Sequence, residues 1–238
     1  MTKRLFPRQF LAILLLLYCG YAHAQVDVTT TVSFAAGGKK SKKLDPSNVV
    51  LWLTAADGSH LSAPTPVHPR LVQKNKSFEP HVLVIPVGTK VEFPNLDPFF
   101  HNVFSLFEGK RFDLGLYEAG SSRDVLFDKP GVSYIFCNIH AEMSAVVIAL
   151  TTPYYGISDR AGHVTLPHIL PGRYTLHVWY ETAPPETLNA LTREVVVGSD
   201  AALGALHLPP PGIVPPHKNM YGHDYPPPTP DQPVYAKP

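Results

Sequence analysis

The chain has 238 residues, of which 45% are hydrophobic and 16% are charged, and its formal net charge is +1. That length allows one or two domains, and the hydrophobic content is enough for a packed core. The near-neutral charge gives no support for a nucleic-acid partner or for a chain kept disordered by self-repulsion. Only two cysteines are present, Cys19 and Cys137, which excludes a disulfide-rich scaffold.

The N-terminal segment has the layout of a secretory signal peptide. Lys3, Arg4 and Arg8 precede the apolar run Phe10–Cys19, and Ala22-His23-Ala24 forms a small-x-small cleavage site. We therefore predict a leader over residues 1–24. The apolar run is too short to span a bilayer comfortably, and no later stretch is long and apolar enough to do so. We expect a periplasmic or secreted protein whose mature chain has no transmembrane segment.

Removal of the predicted leader leaves Cys137 as the one cysteine of an exported chain. A single exported thiol cannot form an intrachain disulfide. It is exposed to oxidation unless it is buried or holds a metal. Cys137 is therefore the first candidate for a functional residue.

The mature chain is predicted to be all-β. Strand-like runs recur with Gly, Pro, Asn and Asp between them, which is typical of one or two β-sandwiches. Glu186–Thr192 is predicted as a short helical turn. In chain order, the clearest predicted strands are Val49–Leu53, His81–Pro86, Thr89–Phe93, Val132–Cys137, Ala145–Leu150, Arg173–Tyr180 and Arg193–Val197.

The C-terminal stretch Leu208–Pro238 is crowded with proline. Runs such as Pro209–Pro211 and Pro226–Pro228 remove backbone donors and favour extended polyproline geometry. Few large apolar residues remain there to be buried. We predict a Pro-rich tail that is disordered or loosely draped.

One segment concentrates metal-binding side chains. Cys137, His140 and Met143 lie on a short loop between two predicted strands, and an upstream loop offers His101. Two histidines and one cysteine with a weak axial methionine are the ligand set of a blue-copper electron-transfer site. Zinc is the main competitor for the same residues, but methionine is a poor zinc ligand.

Residues 71–150 resemble a cupredoxin, most of all amicyanin and plastocyanin. The Cys-x2-His-x2-Met spacing is that of the short amicyanin-type loop. The loop departs from that pattern at Ile139, where proline is common, and at Glu142, which adds a charge. The matching residues are Phe78, Pro80, Ile85–Asn95, Asp97, His101–Val103, Lys129–Gly131, Tyr134, Phe136, Cys137, His140 and Met143.

The resemblance implies a Greek-key sandwich over residues 71–150 with one mononuclear type 1 copper. Its implied ligands are His101, Cys137, His140 and Met143. It also implies that the side chain of Asn102 ties the first-histidine loop to the backbone of the cysteine loop.

The function implied is that of an exported carrier of single electrons. Its partner would be a redox protein, such as a cytochrome or an oxidoreductase, that docks on an apolar surface around His140. The residues expected at that surface are Ile139, Ala141, Phe99 and Phe100.

Two other functions compete with the electron carrier. The first is a copper-binding accessory protein for storage, delivery or sensing, which the tail residues His217, Met220 and His223 slightly favour. The tail composition itself favours solvated residues over a weak second copper site. The second is an enzyme such as a copper oxidase or nitrite reductase. We do not expect an enzyme, because such proteins commonly carry His-x-His pairs and this sequence has none.

Gly156–Pro167 and Leu170–Trp179 resemble the small carboxypeptidase-regulatory, transthyretin-like sandwich. In that family an early strand pair precedes this motif, and Val26–Phe34 and Val49–Leu53 could supply it. We therefore predict a discontinuous sandwich from residues 26–62 and 151–207, with the cupredoxin inserted between the halves. It would serve as a docking or spacing module. The alternative is an N-terminal extension of the cupredoxin plus a short C-terminal sandwich.

Overall fold

The computed structural model describes residues 24–35, 44–59, 68–106, 108–198, 202–213 and 216–226. Apart from Ala24, the predicted leader lies outside these ranges, as do tail residues 227–238. Within the described ranges the chain forms strands and one short helix, which confirms the all-β class. In these ranges no helix combines the length and the hydropathy needed to cross a bilayer.

The seven predicted strands and the helix are confirmed to within two residues at each end. In chain order the elements are β1 (Val26–Phe34), β2 (Val50–Ala55), β3 (Val72–Lys74), β4 (Ser77–Glu79), β5 (Val82–Pro86), β6 (Thr89–Pro94), β7 (His101–Ser105), β8 (Phe112–Tyr117), β9 (Ser122–Phe127), β10 (Gly131–Phe136), β11 (Ser144–Leu150), β12 (Tyr155–Ile157), β13 (His163–Ile169), β14 (Gly172–Trp179), α1 (Pro185–Leu191), β15 (Arg193–Val197) and β16 (Ala202–Leu208).

Strands β3 to β11 form a sandwich, called here the central sandwich. One layer is a five-stranded sheet in the order β5-β11-β10-β7-β8, and the other contains the pairs β3-β4 and β6-β9. Large side chains from both layers, among them Phe93, Phe127 and Ile135, fill the space between them. Cys137 and Met143 belong to the same buried cluster. The loop after β10 therefore begins and ends inside the core.

The remaining strands form a second sandwich, called here the flanking sandwich. Its sheets have the orders β13-β1-β16 and β12-β2-β14-β15. In β1, alternate residues such as Val28 and Val32 point into the core, as a strand with one solvated face requires. Strand β2 pairs with β12 and β14, so one sheet combines strands from before and after the central sandwich.

Strand β11 packs against both sandwiches, one with each of its faces. Side chains alternate across a strand, so a strand that is buried on both faces has a continuous apolar sequence. Ala145, Val147 and Ala149 face the core of the central sandwich. The opposite face of β11 packs in a third cluster with residues of the flanking sandwich. That cluster consists of Val50, Val82, Val84, Val146, Ile148, Leu150 and Trp179.

Part of the tail, which was predicted to be disordered or loosely draped, has a defined position in the structure. Residues 209–213 and 216–226 contain no helix or strand, yet residues 216–226 hydrogen-bond to the loop that carries Cys137. The physical reason is that His217 and Tyr225 supply aromatic surface to bury, which the high proline content of the tail masked.

Candidate metal centre

The loop between β6 and β7 is shaped by the buried side chain of Asn95. Its Nδ2 donates to the carbonyl of Phe99 at 2.8 Å, and its Oδ1 accepts the N–H of Asp97 at 3.0 Å. Bonds of this kind from an Asn side chain to nearby backbone stabilise turns. They place Asp97 in the loop and His101 at the first position of β7, where the imidazole is fully buried.

The second loop, Cys137–Met143, connects β10 to β11. The N–H of Cys137 donates to the carbonyl of Met143 at 3.3 Å, and the N–H of Met143 donates to the carbonyl of His140 at 3.1 Å. Strands β10 and β11 pair up to the ends of this loop. The three ligand candidates on the loop are thus held between two anchored strand ends.

The structure brings His101, Cys137 and His140 together. The sulfur of Cys137 lies 3.8 Å from Nδ1 of His101 and 3.7 Å from Nδ1 of His140. All three ligand atoms lie within 4.8 Å of one another. Metal–ligand bonds of about 2.0–2.3 Å place neighbouring ligand atoms roughly 3.5–4 Å apart around one ion. The three residues therefore form a cluster that could hold a single metal ion.

Asp97 fixes the orientation of the His101 ring. Nε2 of His101 lies 2.8 Å from Oδ2 of Asp97. The same carboxylate accepts the N–H groups of Asn75 and Lys76 at 2.6 and 2.9 Å. An ionised carboxylate only accepts hydrogen bonds, so the imidazole proton is assigned to Nε2, and the lone pair of Nδ1 is left to face Cys137.

Burial and hydrogen bonding change the pKa of Asp97 in opposite directions. Burial opposes the charged form, but the hydrogen bonds from Lys76, His101 and Asn75 outweigh it, and the pKa of Asp97 is lowered. Asp97 is consequently a charged acceptor at neutral pH.

Burial also keeps both histidines neutral. It lowers the pKa of His101 against the opposing effect of Asp97. Burial, together with the neighbouring His101, lowers the pKa of His140 to about 4. Neutral imidazole is the form that binds a metal, so at neutral pH neither ring has to lose a proton first.

The Cys137 thiol behaves in the opposite way. Burial raises its pKa, although the main-chain N–H groups of Asn102, Ile139 and His140 partly counteract this effect. The metal-free site therefore holds a protonated thiol at neutral pH. That proton must leave when the sulfur binds a metal.

Met143 is fully buried in the same core cluster as Cys137. His140, in contrast, is only half-buried, so of the two candidate imidazoles it is the one nearer to solvent. One end of the candidate site thus lies in the core and the other reaches the surface.

The predicted contact of the Asn102 side chain is wrong. Its Nδ2 donates to Oδ1 of Asp113 at 2.7 Å, and its buried Oδ1 has no partner among the described residues. The main-chain N–H of Asn102, rather than its side chain, interacts with Cys137. Asp113 on the neighbouring strand β8 is a charged acceptor that competes successfully for the amide.

Three of the residues expected at the partner surface, Phe99, Ile139 and Ala141, lie next to the half-buried His140 in space or in sequence. Phe99 packs with its ring centroid 5.1 Å from that of His101 and 5.7 Å from that of His140. Ile139, Phe100 and Ala141 are exposed. Leu96, which sequence reasoning missed, is 55% exposed on the same loop as Phe99.

Sequence reasoning also missed the roles of Asp97 and Tyr225. The role of Asp97 could have been predicted from the sequence, because Asp97 lies four residues before His101 in a turn-forming Asn-Leu-Asp-Pro stretch. The role of Tyr225 could not, because Tyr225, whose hydroxyl donates to the Cys137 carbonyl, is 88 residues away from Cys137 in sequence. In the described ranges, His101, Cys137 and His140 are the one group of three or more His, Cys, Asp or Glu residues arranged to hold a metal.

Comparison with known proteins finds no matching family model and no matching curated protein. Solved structures that match include a purple cupredoxin from Nitrosopumilus maritimus at 24% identity and TM-score 0.32, covering 34% of this chain and 99% of that one. A Cu-containing nitrite reductase from Thermus scotoductus SA-01 matches at 25% identity and TM-score 0.34, covering 50% of this chain and 28% of that one. An oxidised amicyanin mutant matches at 17% identity and TM-score 0.33, covering 35% of this chain and 82% of that one.

Proposed function

We propose that this chain is an exported type 1 copper protein that carries single electrons. The observation that carries the proposal is the distance of 3.7–3.8 Å from the Cys137 sulfur to one nitrogen of each of two histidines. The proposed ligands are His101, Cys137 and His140, with Met143 as a weak axial ligand. A thiolate, two imidazoles and a thioether are the donor set that blue-copper sites use.

The ligand-bearing loops are suited to such a role because both are anchored. When bound, copper supplies a one-electron couple between Cu(I) and Cu(II). The protein would hold its ligand atoms in nearly one arrangement for both states, since His101 is fixed by Asp97 and the cysteine loop is closed by its own hydrogen bonds. Little movement on electron transfer keeps the reorganisation energy low.

The surface around His140 supports docking of a redox partner. Ile139 and Ala141, the chain neighbours of His140, are exposed, and Phe99 packs against the His140 ring. Phe100, which follows Phe99, is exposed as well. A small apolar patch allows close approach without a large, slowly dissociating interface. We propose that a cytochrome or an oxidoreductase exchanges electrons with the chain at this patch.

Addition of Cu(II) to the purified chain tests the proposed function directly. An intense thiolate charge-transfer band and a matching paramagnetic resonance spectrum are expected. Both should disappear in Cys137→Ser and persist in His163→Gln, which changes an exposed histidine of the flanking sandwich. A colourless wild-type sample, or colour that survives in Cys137→Ser, would contradict the proposal.

A copper-delivery role is the second candidate. The N–H of Met220 donates to the side chain of Asn138 at 2.9 Å, so one of the tail residues with a soft side chain lies beside the copper loop. Rapid electron self-exchange would favour the carrier. Rapid copper transfer to a metal-free acceptor would favour delivery.

We also propose that the flanking sandwich is a separate domain into which the central sandwich is inserted. The pairing of β2 with β12 and β14 supports this arrangement. Its likeness to carboxypeptidase-regulatory sandwiches, and its role as a docking or spacing module, are part of the same proposal.

We propose that the chain is exported by means of its N-terminal leader. The single cysteine of the mature chain, Cys137, is fully buried, and burial would protect its thiol from oxidation outside the cytoplasm.

A further inference from the structure

Residues 216–226, called here the strap, lie against the Cys137–Met143 loop. The hydroxyl of Tyr225 donates to the main-chain carbonyl of Cys137 at 2.6 Å. The N–H of Met220 donates to Oδ1 of Asn138 at 2.9 Å. The strap therefore holds two consecutive residues of the loop, one of which supplies the candidate thiolate.

Aromatic packing reinforces these two hydrogen bonds. The ring of His217 lies 4.2 Å from that of Phe136, the last residue of β10, with the planes 30° apart. The ring of Tyr225 meets His217 nearly edge-on, with centroids 5.2 Å apart, and its hydroxyl lies 3.3 Å from Nδ1 of His217. The hydroxyl is thus held in place from two directions.

The strap also has a turn of its own. Oδ1 of Asn219 accepts the N–H groups of Tyr221 and His223, each at 3.0 Å, and the N–H of Asn219 donates to the carbonyl of His223 at 2.9 Å. Such side-chain bonds pre-organise a short segment without a helix or strand. The segment therefore presents Met220 and Tyr225 to the loop with less ordering cost than an unstructured chain.

We propose that Tyr225 is a positioning residue of the metal centre, which acts on the site through the Cys137 carbonyl. The inference rests on the proposed copper function. By fixing the Cys137–Asn138 peptide, the Tyr225 hydroxyl holds the start of the loop in the conformation that places Nδ1 of His140 3.7 Å from the Cys137 sulfur.

This position matters because hydrogen bonding around the cysteine sulfur and solvent exclusion tune the potential of such a site. Loss of the Tyr225 anchor would let the loop relax toward the geometry that Cu(II) prefers, and it would admit water to the loop. Both effects stabilise Cu(II), so the reduction potential should fall.

The test compares the full-length copper-loaded chain with Tyr225→Phe and with the control Tyr221→Phe, whose ring is 71% exposed on the same strap. Tyr225→Phe should lower the reduction potential and shift the charge-transfer band. Removal of Cu(I) by a chelator should become roughly three- to tenfold faster, as expected for one lost hydrogen bond. Tyr221→Phe should match the wild type in all three measurements.

A measurement on the metal-free chain separates this inference from the proposed function. Amide hydrogen exchange at Ile139 and His140 should be faster in Tyr225→Phe than in Tyr221→Phe. If the wild type stays colourless with copper, the proposed function fails, and these exchange rates alone decide the positioning role. Asn138→Ala removes the second anchor and should change the potential and the exchange rates in the same direction.

Two results would overturn the positioning role. One is a Tyr225→Phe protein that cannot be distinguished from Tyr221→Phe in potential, band and amide exchange. The other is faster copper removal with an unchanged potential, because the strap would then only cover the site.

Discussion

Nε2 of His101 lies 2.8 Å from a carboxylate oxygen of Asp97, while Nδ1 of the same ring lies 3.8 Å from the sulfur of Cys137. One imidazole thus joins a buried charge to the candidate metal position. Asp97 itself is held by the N–H groups of Asn75 and Lys76, so the orientation of the ring depends on a carboxylate that cannot easily turn.

Asp97→Asn should weaken copper binding by about 10–100-fold, the usual effect of removing a hydrogen-bond partner behind a ligating histidine. The amide keeps the shape of the side chain but removes its charge and its preference for the Nε2–H tautomer. Competition with a chelator of known affinity measures the change. Asp124→Asn alters an exposed carboxylate paired with Lys90 and serves as the control. Equal affinities in the two variants would contradict the role of Asp97.

Met143→Leu should leave copper bound and change its reduction potential. The substitution preserves the volume of a fully buried side chain but removes the thioether, which in this type of site is a weak, long ligand. Voltammetry of the loaded variant, together with its copper content, measures both effects. Loss of all metal binding would show that Met143 is not a weak axial ligand.

Copper binding at pH 7 should release about one proton, and that proton should come from Cys137. Burial raises the pKa of the Cys137 thiol, whereas it lowers the pKa of His101 and lowers that of His140 to about 4, so only the sulfur is protonated at this pH. Calorimetric titration in buffers of different ionisation enthalpy counts the protons released. Release of two or more would mean that an imidazole is also protonated in the metal-free chain.

His81 links the two sandwiches and should make their stability depend on pH. Its Nε2 lies 2.7 Å from Oε2 of Glu181, and this bond raises the pKa of His81 above 6.5, against the opposing effect of burial. A raised folded-state pKa contributes stability that is fully present below the unfolded pKa and is lost as pH rises through the folded pKa. Wild type should therefore exceed His81→Gln most in the acidic range, and the difference should shrink above neutrality.

Denaturant unfolding at a series of pH values measures this difference. Because the His81 side chain is 37% exposed, solvent screening should keep the effect small. Glu181→Gln removes the acceptor charge and should largely abolish the pH-dependent part of the difference. A difference that grows as pH rises would contradict the assignment.

Trp179→Ala should lower the free energy of unfolding by about 3–5 kcal/mol, as for other buried aromatic truncations. Trp179 lies on β14 and packs in the cluster shared by the two sandwiches. Val196→Ala, on the neighbouring strand β15, removes a side chain that is 76% exposed and should cost less than about 0.5 kcal/mol. A loss below about 1 kcal/mol for Trp179→Ala would contradict a tightly packed interface.

The sequence was sufficient to predict the strands that carry strong patterns. Strand β11 has an uninterrupted apolar run, and the C-terminal end of β15 is marked by Gly198. Strand β16 was missed, since its alternating pattern is weak and most of its residues are exposed. Its place beside β1 depends on a parallel pairing over a long chain separation, which local patterns do not record.

At the candidate site, residue type and spacing were sufficient to single out His101, Cys137 and His140, which the structure brings together. The side-chain partner of Asn102 could not be predicted in this way. It depends on the register shift between β7 and β8, which brings Asp113 within reach of the amide. The contact of Tyr225 with Cys137 likewise arises from tertiary packing alone.

Strand β11 has one more consequence, for protein engineering. Val146, Ile148 and Leu150 face the flanking sandwich. Residues 71–150 expressed alone would therefore expose an apolar sheet face to solvent. Such a fragment is expected to self-associate or precipitate even if its metal loop is intact. Replacing those three side chains with polar ones would be the first step toward a soluble version of the isolated central sandwich.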